Sequence, residues 1–220
     1  MNSELKKRIF TSLILILLLF AMYLYSFVLI ASLIIIAMIS WIEFYALISK
    51  IFKKNSINDR FFRFLYKSLS LLYLSSLTYL IFSIESYYPD LKTYLVYSVL
   101  VAILSDVGGL IFGKILKGKK LTKISPNKTI SGSIGSFIFS LFLIPLFVED
   151  LIKHDYLIML FLTLLISLTS QLGDLFISYL KRKAKVKNTS DILPGHGGFL
   201  DRVDGIIFAI PVGILLFTNF

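Results

Sequence analysis

The chain has no cysteine, two histidines and a single tryptophan. Without thiols, a disulfide framework, a thiolate metal site and a cysteine nucleophile are excluded, and two histidines are too few for an ordinary structural zinc site. Charge is scarce: 16% of the 220 residues are Asp, Glu, Lys or Arg, against about 25% in soluble domains. The charge present leans one way, with 23 basic against 13 acidic residues and a net of +10. Apolar residues fill the rest, 57% of the chain with 15% aromatic, at a mean hydropathy of +0.84. That composition excludes a disordered chain and argues against a water-soluble globule.

Crossing a hydrocarbon core takes about 20 mostly apolar residues. No charge lies between Arg8 and Glu43, a stretch too long for one helix, so it reads as spans over 9–25 and 27–48 joined by a tight turn. Further spans fall at 68–84, 93–113, 134–148, 156–180 and 205–217, the fifth and seventh short enough to be tilted or partly re-entrant. The expected fold class is all-α: a polytopic membrane helix bundle of about seven transmembrane helices, with 1–220 as a single integral membrane domain. No small-residue cleavage site follows the first apolar run, so the basic N-terminus reads as a signal anchor.

Placing that N-terminus in the cytoplasm sorts 21 of the 23 basic residues to one side, leaving Lys92 and Lys153 opposite. This is the positive-inside pattern, and it makes the excess charge a topology signal rather than a nucleic-acid-binding face. It puts the protein in the cell (inner) membrane, multi-pass, with the two polar loops described below on the cytoplasmic side. The segment 50–67 mixes bases with Phe61, Phe62, Phe64, Leu65 and Tyr66 and is expected to lie on the membrane surface.

Ionisable residues inside spans are costly and mark functional sites by default. Asp106 and Asp174 are the two candidates. Ser167, Gln171, Asp174, Ser178 and Lys181 share one helix face, either as a polar cavity lining or as an interhelical hydrogen-bond seam. Gly109 and Gly113 form a GxxxG pattern, a sign of close helix packing. Glu43, beside Trp41, reads as an interfacial residue.

Two basic loops flank these helices. Residues 114–133 carry six lysines with Ser125, Pro126, Thr129, Gly132 and Ser133, a combination that suits a polyphosphate but is not a P-loop. Residues 181–205 run from a basic stretch to Pro194-Gly195-His196-Gly197-Gly198, then Asp201-Arg202 and Asp204. Glycines allow close backbone approach of a ligand, and carboxylates beside an arginine suit a divalent cation and the phosphate it neutralises. Asp174 and Asp201 are expected to converge if the glycine loop folds back.

At these residues the chain resembles the phosphatidate cytidylyltransferases. The resemblance rests on Ser178-Tyr-Leu-Lys181-Arg182, Lys187-Asn188 and Pro194-Gly-His196-Gly197-Gly198-Phe-Leu-Asp201-Arg202-Val-Asp204. Gln171-Leu-Gly173-Asp174, Lys123-Ile-Ser125-Pro126-Asn-Lys128-Thr129 and Asp106-Val-Gly108 extend it, so the family-like catalytic half covers about residues 105–205. The first hundred residues share only hydropathy and Trp41-x-Glu43, and the chain is shorter than typical members, an expected shortfall of one or more N-terminal spans. The resemblance implies transfer of CMP from CTP to phosphatidic acid, yielding CDP-diacylglycerol and pyrophosphate for phospholipid synthesis. It implies Mg2+ at Asp174 and Asp201, with room for a second metal ion, and catalytic roles for Lys181, Arg182, Arg202 and Asp204. Ser125, Pro126, Lys128, Thr129, Lys187, His196, Gly197 and Gly198 are implied to bind the nucleotide, and a homodimer is compatible with it. The family pattern has Glu, Asp and Trp-Glu where this chain has Ile177, Asn188 and Ile130-Ser131. Ile177 is therefore expected to face lipid or packing. Related alternatives are a CTP-dependent polyprenol or lipid kinase and an ether-lipid cytidylyltransferase; a non-catalytic channel, transporter or scaffold does not call for the second loop.

Overall fold

The computed structural model describes residues 3–53, 56–126, 128–149, 151, 155–195 and 197–219. The elements in order are α1 (Ser3–Leu24), α2 (Ser26–Ile51), α3 (Ile57–Tyr87), a 3-10 turn (Pro89–Leu91), α4 (Lys92–Leu116), α5 (Ile130–Leu141), α6 (Ile144–Phe147), α7 (Tyr156–Lys183), α8 (Leu200–Val203) and α9 (Ile206–Asn219). Five of these stretches are long and apolar enough to cross a membrane: Ser26–Ile51, Ile57–Tyr87, Pro89–Leu116, Ile130–Phe147 and Tyr156–Lys183. Phe10–Leu24 and the 14-residue α9 are shorter apolar helices. The expected all-helical architecture with about seven spans agrees with this set.

Local chemistry explains where helices start and stop. The break between the first two spans is one extended residue, Tyr25, at φ −125° and ψ 109°. The segment 50–67 is not a separate surface element: from Ile57 it is the start of α3, 31 residues long. No Gly or Pro occurs between Ile57 and Tyr87, so nothing interrupts the backbone ladder. At about 1.5 Å per residue, such a helix outreaches a hydrocarbon core of about 30 Å, and its basic, aromatic first turns extend past the apolar stretch. The fifth span is broken at Phe142–Leu143 by Pro145, which has no N–H and crowds the carbonyl four residues back. The chain tightens there, with Phe142 N donating to Phe139 O at 3.2 Å and Leu143 N to Ser140 O at 3.3 Å.

Two compact units are distinguishable, Met1–Glu85 with Leu180–Arg202, and Ser86–Tyr179 with Val203–Phe220. In the first, α2 and α3 run antiparallel, tied by Ser26 Oγ donating to Glu85 Oε1 at 2.5 Å and Trp41 Nε1 donating to Lys67 O at 3.3 Å. Leu47, Ile48, Ile81 and Ile84 are buried in this unit. In the second, Tyr97, Val101, Met159, Leu162, Ile166, Ala209 and Phe217 form a core from α4, α7 and α9. Tyr97 is wholly buried, and its hydroxyl is 2.6 Å from Thr163 Oγ1, which removes the cost of burying an unpaired phenol. The α4 glycines do pack closely: a side chain on Gly132 of α5 would put its Cβ 2.8 Å from the Gly109 carbonyl oxygen.

Candidate active site

In the second unit the polar face of α7 divides into a seam and a charged end. Ser167 is fully buried and sits 3.0 Å from Ser105 of α4. Gln171 Nε2 donates to Ser167 Oγ at 3.4 Å, while Ser133 Oγ donates to Gln171 Oε1 at 2.6 Å. This part is the interhelical seam, joining α4, α5 and α7. One turn on, Asp174 takes over: Lys128 Nζ lies 2.5 Å from its Oδ2 and Ser178 Oγ donates to its Oδ1 at 3.2 Å. About a quarter of each charged side chain is exposed.

Lys128 is delivered by a self-closing loop. Leu121 N donates to Lys128 O at 2.8 Å, and Ile130 N to Lys119 O at 2.9 Å. Lys128 N donates to Ser125 O at 3.0 Å, which places Ser125 and Pro126 in the turn before the lysine. Thr129 is the N-cap of α5, accepting from Gly132 N at 3.0 Å. Ser131, where the family pattern has Glu, accepts from Gly118 N at 3.2 Å. Polar chemistry at that position has become loop closure.

In the first unit the C-terminal loop is organised around two carboxylates. Asp201 Oδ1 accepts from Lys181 Nζ at 2.6 Å. Its Oδ2 accepts from Thr189 N at 2.9 Å and Gly198 N at 3.1 Å, and Thr189 Oγ1 lies 3.1 Å away. Its exposure is 9%, and that of Lys181 13%. Below the tip, Leu193 and Gly197 exchange both backbone hydrogen bonds, at 2.9 and 3.1 Å. Gly197 has φ +86°, a conformation that L side chains rarely adopt. Gly198 allows no side chain, since a Cβ there would overlap Thr189 Oγ1 and lie 2.7 Å from Glu43 Oε2.

Glu43 corrects the interfacial expectation. It is 2% exposed and accepts four hydrogen bonds from the loop 189–200. Ser190 Oγ (2.5 Å) and Phe199 N (2.9 Å) donate to Oε1; Thr189 Oγ1 (2.7 Å) and Leu200 N (2.8 Å) donate to Oε2. A carboxylate offers about four lone-pair sites, and here donors match all of them. Sequence reasoning missed this role, although one signal was present: a lone acid in the apolar run Ser40–Ile48.

The other expected residues are placed as follows. Arg182, on the last turn of α7, and Arg202, on α8, are exposed and have partners. Lys187 is exposed. Asp204 is buried in the second unit, where its Oδ1 accepts from Gly205 N at 3.0 Å, so it does not share a unit with Asp201. Asp106 is exposed and has a partner. Ile177 is 1% exposed, in packing as expected. Asn188 lies against Gly197, whose Cβ position is 3.0 Å from Asn188 Cγ. His196 lies outside the described residues.

Among the described residues no three His, Cys, Asp or Glu side chains cluster as a ready-made metal cage. The donor set is instead single carboxylates, each beside a lysine and near glycine backbone. Hard oxygen donors used one or two at a time suit Mg2+, which completes its shell from water and phosphate oxygens. Asp174 fits best, with two neighbours on its oxygens; Asp201 keeps room only on Oδ1.

A family model described as "Cytidylyltransferase family" matches residues 2–220. Proteins named phosphatidate cytidylyltransferase are similar: that of Staphylococcus haemolyticus is 45% identical over 122 residues, covering 54% of this chain and 46% of that protein. That of Staphylococcus aureus strain COL is 45% identical over 132 residues (57% and 50%), and that of Bacillus subtilis 41% over 130 (58% and 48%). The chain spans about half the length of the curated relatives it matches. With the match running the length of the sequence, the chain belongs to the cytidylyltransferase family.

Proposed function

We propose that this membrane protein transfers the cytidylyl group of CTP to phosphatidic acid, giving CDP-diacylglycerol and pyrophosphate. The observation that carries the reading is the pair of lysine-held aspartates, Asp174 and Asp201, in a chain matched throughout by the family. A phosphate oxygen of the lipid attacks the α-phosphorus of CTP; the new P–O bond forms as the bond to pyrophosphate breaks. Asp174 and Asp201 would hold Mg2+, which when bound supplies Lewis-acid charge stabilisation to phosphoryl oxygens.

The chain's own groups do the rest. Lys128 and Lys181 are compact cations held beside their aspartates, Lys181 the more buried of the two, and both can turn toward triphosphate oxygens. Arg182, Lys187 and Arg202 are exposed cations that draw in an anionic nucleotide, and an arginine fork matches phosphate geometry. Gly197 and Gly198 let backbone come close to the nucleotide, and Ser125, Pro126 and Thr129 set the turn that presents Lys128. The Glu43 clamp positions the loop 189–200 without touching the reactants. The lipid arrives from the bilayer, and CTP from the cytoplasm, on the side to which the basic loops are assigned in an inner membrane. A homodimer is compatible with this arrangement.

The test is purified protein with labelled CTP, phosphatidic acid and Mg2+, run beside ether-lipid phosphate and polyprenol acceptors. CDP-diacylglycerol as the dominant product is the expected result. No CDP-lipid from an intact, folded preparation overturns the reading, and a preferred polyprenyl or ether product reassigns the acceptor.

A further inference from the structure

The first unit holds a second polar feature that cytidylyl transfer does not use. Between α2 and α3 lies an open groove of about 360 Å³, lined by Trp41, Tyr45, Arg60, Arg63 and Lys67, with Phe64, Ser68 and Leu71 further along. On α3 the lining follows a three-and-four spacing, so it is one helix face. Arg60 and Arg63 lead that face and Leu71 closes it, about 16 Å further along the axis at 1.5 Å per residue. The groove thus grades from cationic to apolar along the direction in which a lipid grades from headgroup to chain.

The cations are not spent on carboxylates. Neither Arg60 nor Arg63 has an ion pair among the described residues. Lys67 Nζ lies 3.2 Å from the centre of the Tyr45 ring, a cation–π contact that fixes the groove wall. Trp41 is pinned by its hydrogen bond to Lys67 O, as an aromatic belt residue at the membrane–water boundary. Guanidinium forks match a phosphate bidentately, better than an ammonium does.

We propose that the α2–α3 groove binds the phosphate headgroup of an anionic membrane lipid. The ligand class is a phosphomonoester or phosphodiester carrying acyl chains, its phosphate held between Arg60 and Arg63 and its first chain carbons laid against Phe64 and Leu71. The same helix serves the loop 189–200 from its other side: Glu43 is about 200° around α2 from both Trp41 and Tyr45. Binding in the groove therefore acts on the helix that holds that loop.

Trp41 is the chain's one tryptophan, so its fluorescence reports on the groove directly. The experiment reconstitutes the full chain without CTP into nanodiscs containing brominated phosphatidylglycerol or brominated phosphatidylcholine at matched mole fraction. Each base near a surface is worth roughly a fivefold preference for anionic lipid, so quenching of Trp41 is expected at a mole fraction on the order of tenfold lower with the anionic lipid. Arg60→Gln/Arg63→Gln should abolish that preference, Arg60→Lys/Arg63→Lys should retain part of it, and Lys114→Gln/Lys117→Gln, which removes equal charge elsewhere, should leave it intact. Equal quenching by the two lipids, or an unchanged preference in Arg60→Gln/Arg63→Gln of normal helicity, overturns the proposal. Full displacement of the lipid by inorganic phosphate overturns the lipid assignment in favour of a free-phosphate site. None of these readings depends on cytidylyl transfer.

Discussion

Asp174 and Asp201 each have a lysine within 2.6 Å, yet their surroundings differ in kind. Asp174 is partly open, with Lys128 on one oxygen and the Ser178 hydroxyl on the other. Asp201 is nearly closed, with two backbone donors and the Thr189 hydroxyl against one oxygen and a lysine on the other. The first is a carboxylate with vacant lone pairs; the second shapes the backbone that surrounds it. An aspartate can thus serve as a ligand, or as the post on which a ligand-binding loop is strung. In the first unit Glu43 takes the second role completely.

The sharpest way to break this contrast is Glu43→Ala. It strands two backbone N–H groups and two hydroxyls in a buried place, and should cost about 3–5 kcal/mol, read as a lower denaturation midpoint in detergent with loss of transfer activity. A near-neutral change would mean the loop is held otherwise. Next come the aspartates themselves. Asp174→Asn and Asp201→Asn should each lower cytidylyl transfer about 100-fold or more. Only Asp201→Asn should also lower stability, by about 2 kcal/mol, because the exposed Lys128–Asp174 pair is worth under about 1 kcal/mol. Equal stabilities for the two variants would erase the distinction.

Gly198→Ala should destabilise by about 2 kcal/mol, in the range of overpacked sites, since its new methyl meets the very groups that Glu43 and Thr189 bring together. In the second unit, Thr129→Ala removes the α5 cap at about 1 kcal/mol and should weaken CTP binding through the displaced Lys128. Smallest is Lys187→Gln, which leaves folding untouched and raises the KM for CTP about threefold, the order of one weak, exposed charge contact. Measured KM and melting curves for the three variants would rank them.

Hydropathy made the spans legible because lipid imposes a length and a composition on every crossing. Two boundaries were missed: the expected span 134–148 runs through Pro145, where the helix breaks, and 50–67 is set apart from a helix that is continuous from Ile57 to Tyr87, a stretch without Gly or Pro. The α7 stripe was legible as a face but not as a division, since periodicity cannot tell that Ser167 and Gln171 find partners on α4 and α5 while Asp174 finds Lys128. Asp204 is three residues from Asp201, and spacing alone does not tell that it is buried beside Gly205 in the other unit. Glu43 was hidden for a different reason. Its partners lie 146 to 157 residues downstream, beyond any local pattern.

That separation has a consequence for how the protein is made. Translation at about 5–20 residues per second leaves about 8 to 30 s between the appearance of Glu43 and that of Leu200. Until Thr189 is made, an acid in an apolar helix has none of its four native donors, and a charge buried without partners is expensive. The end of α2 must therefore wait near water, settling only when the last loop arrives. Seating of Glu43 is thus timed by the loop 189–200, and a ribosome stalled before residue 189 would leave α2 without those donors.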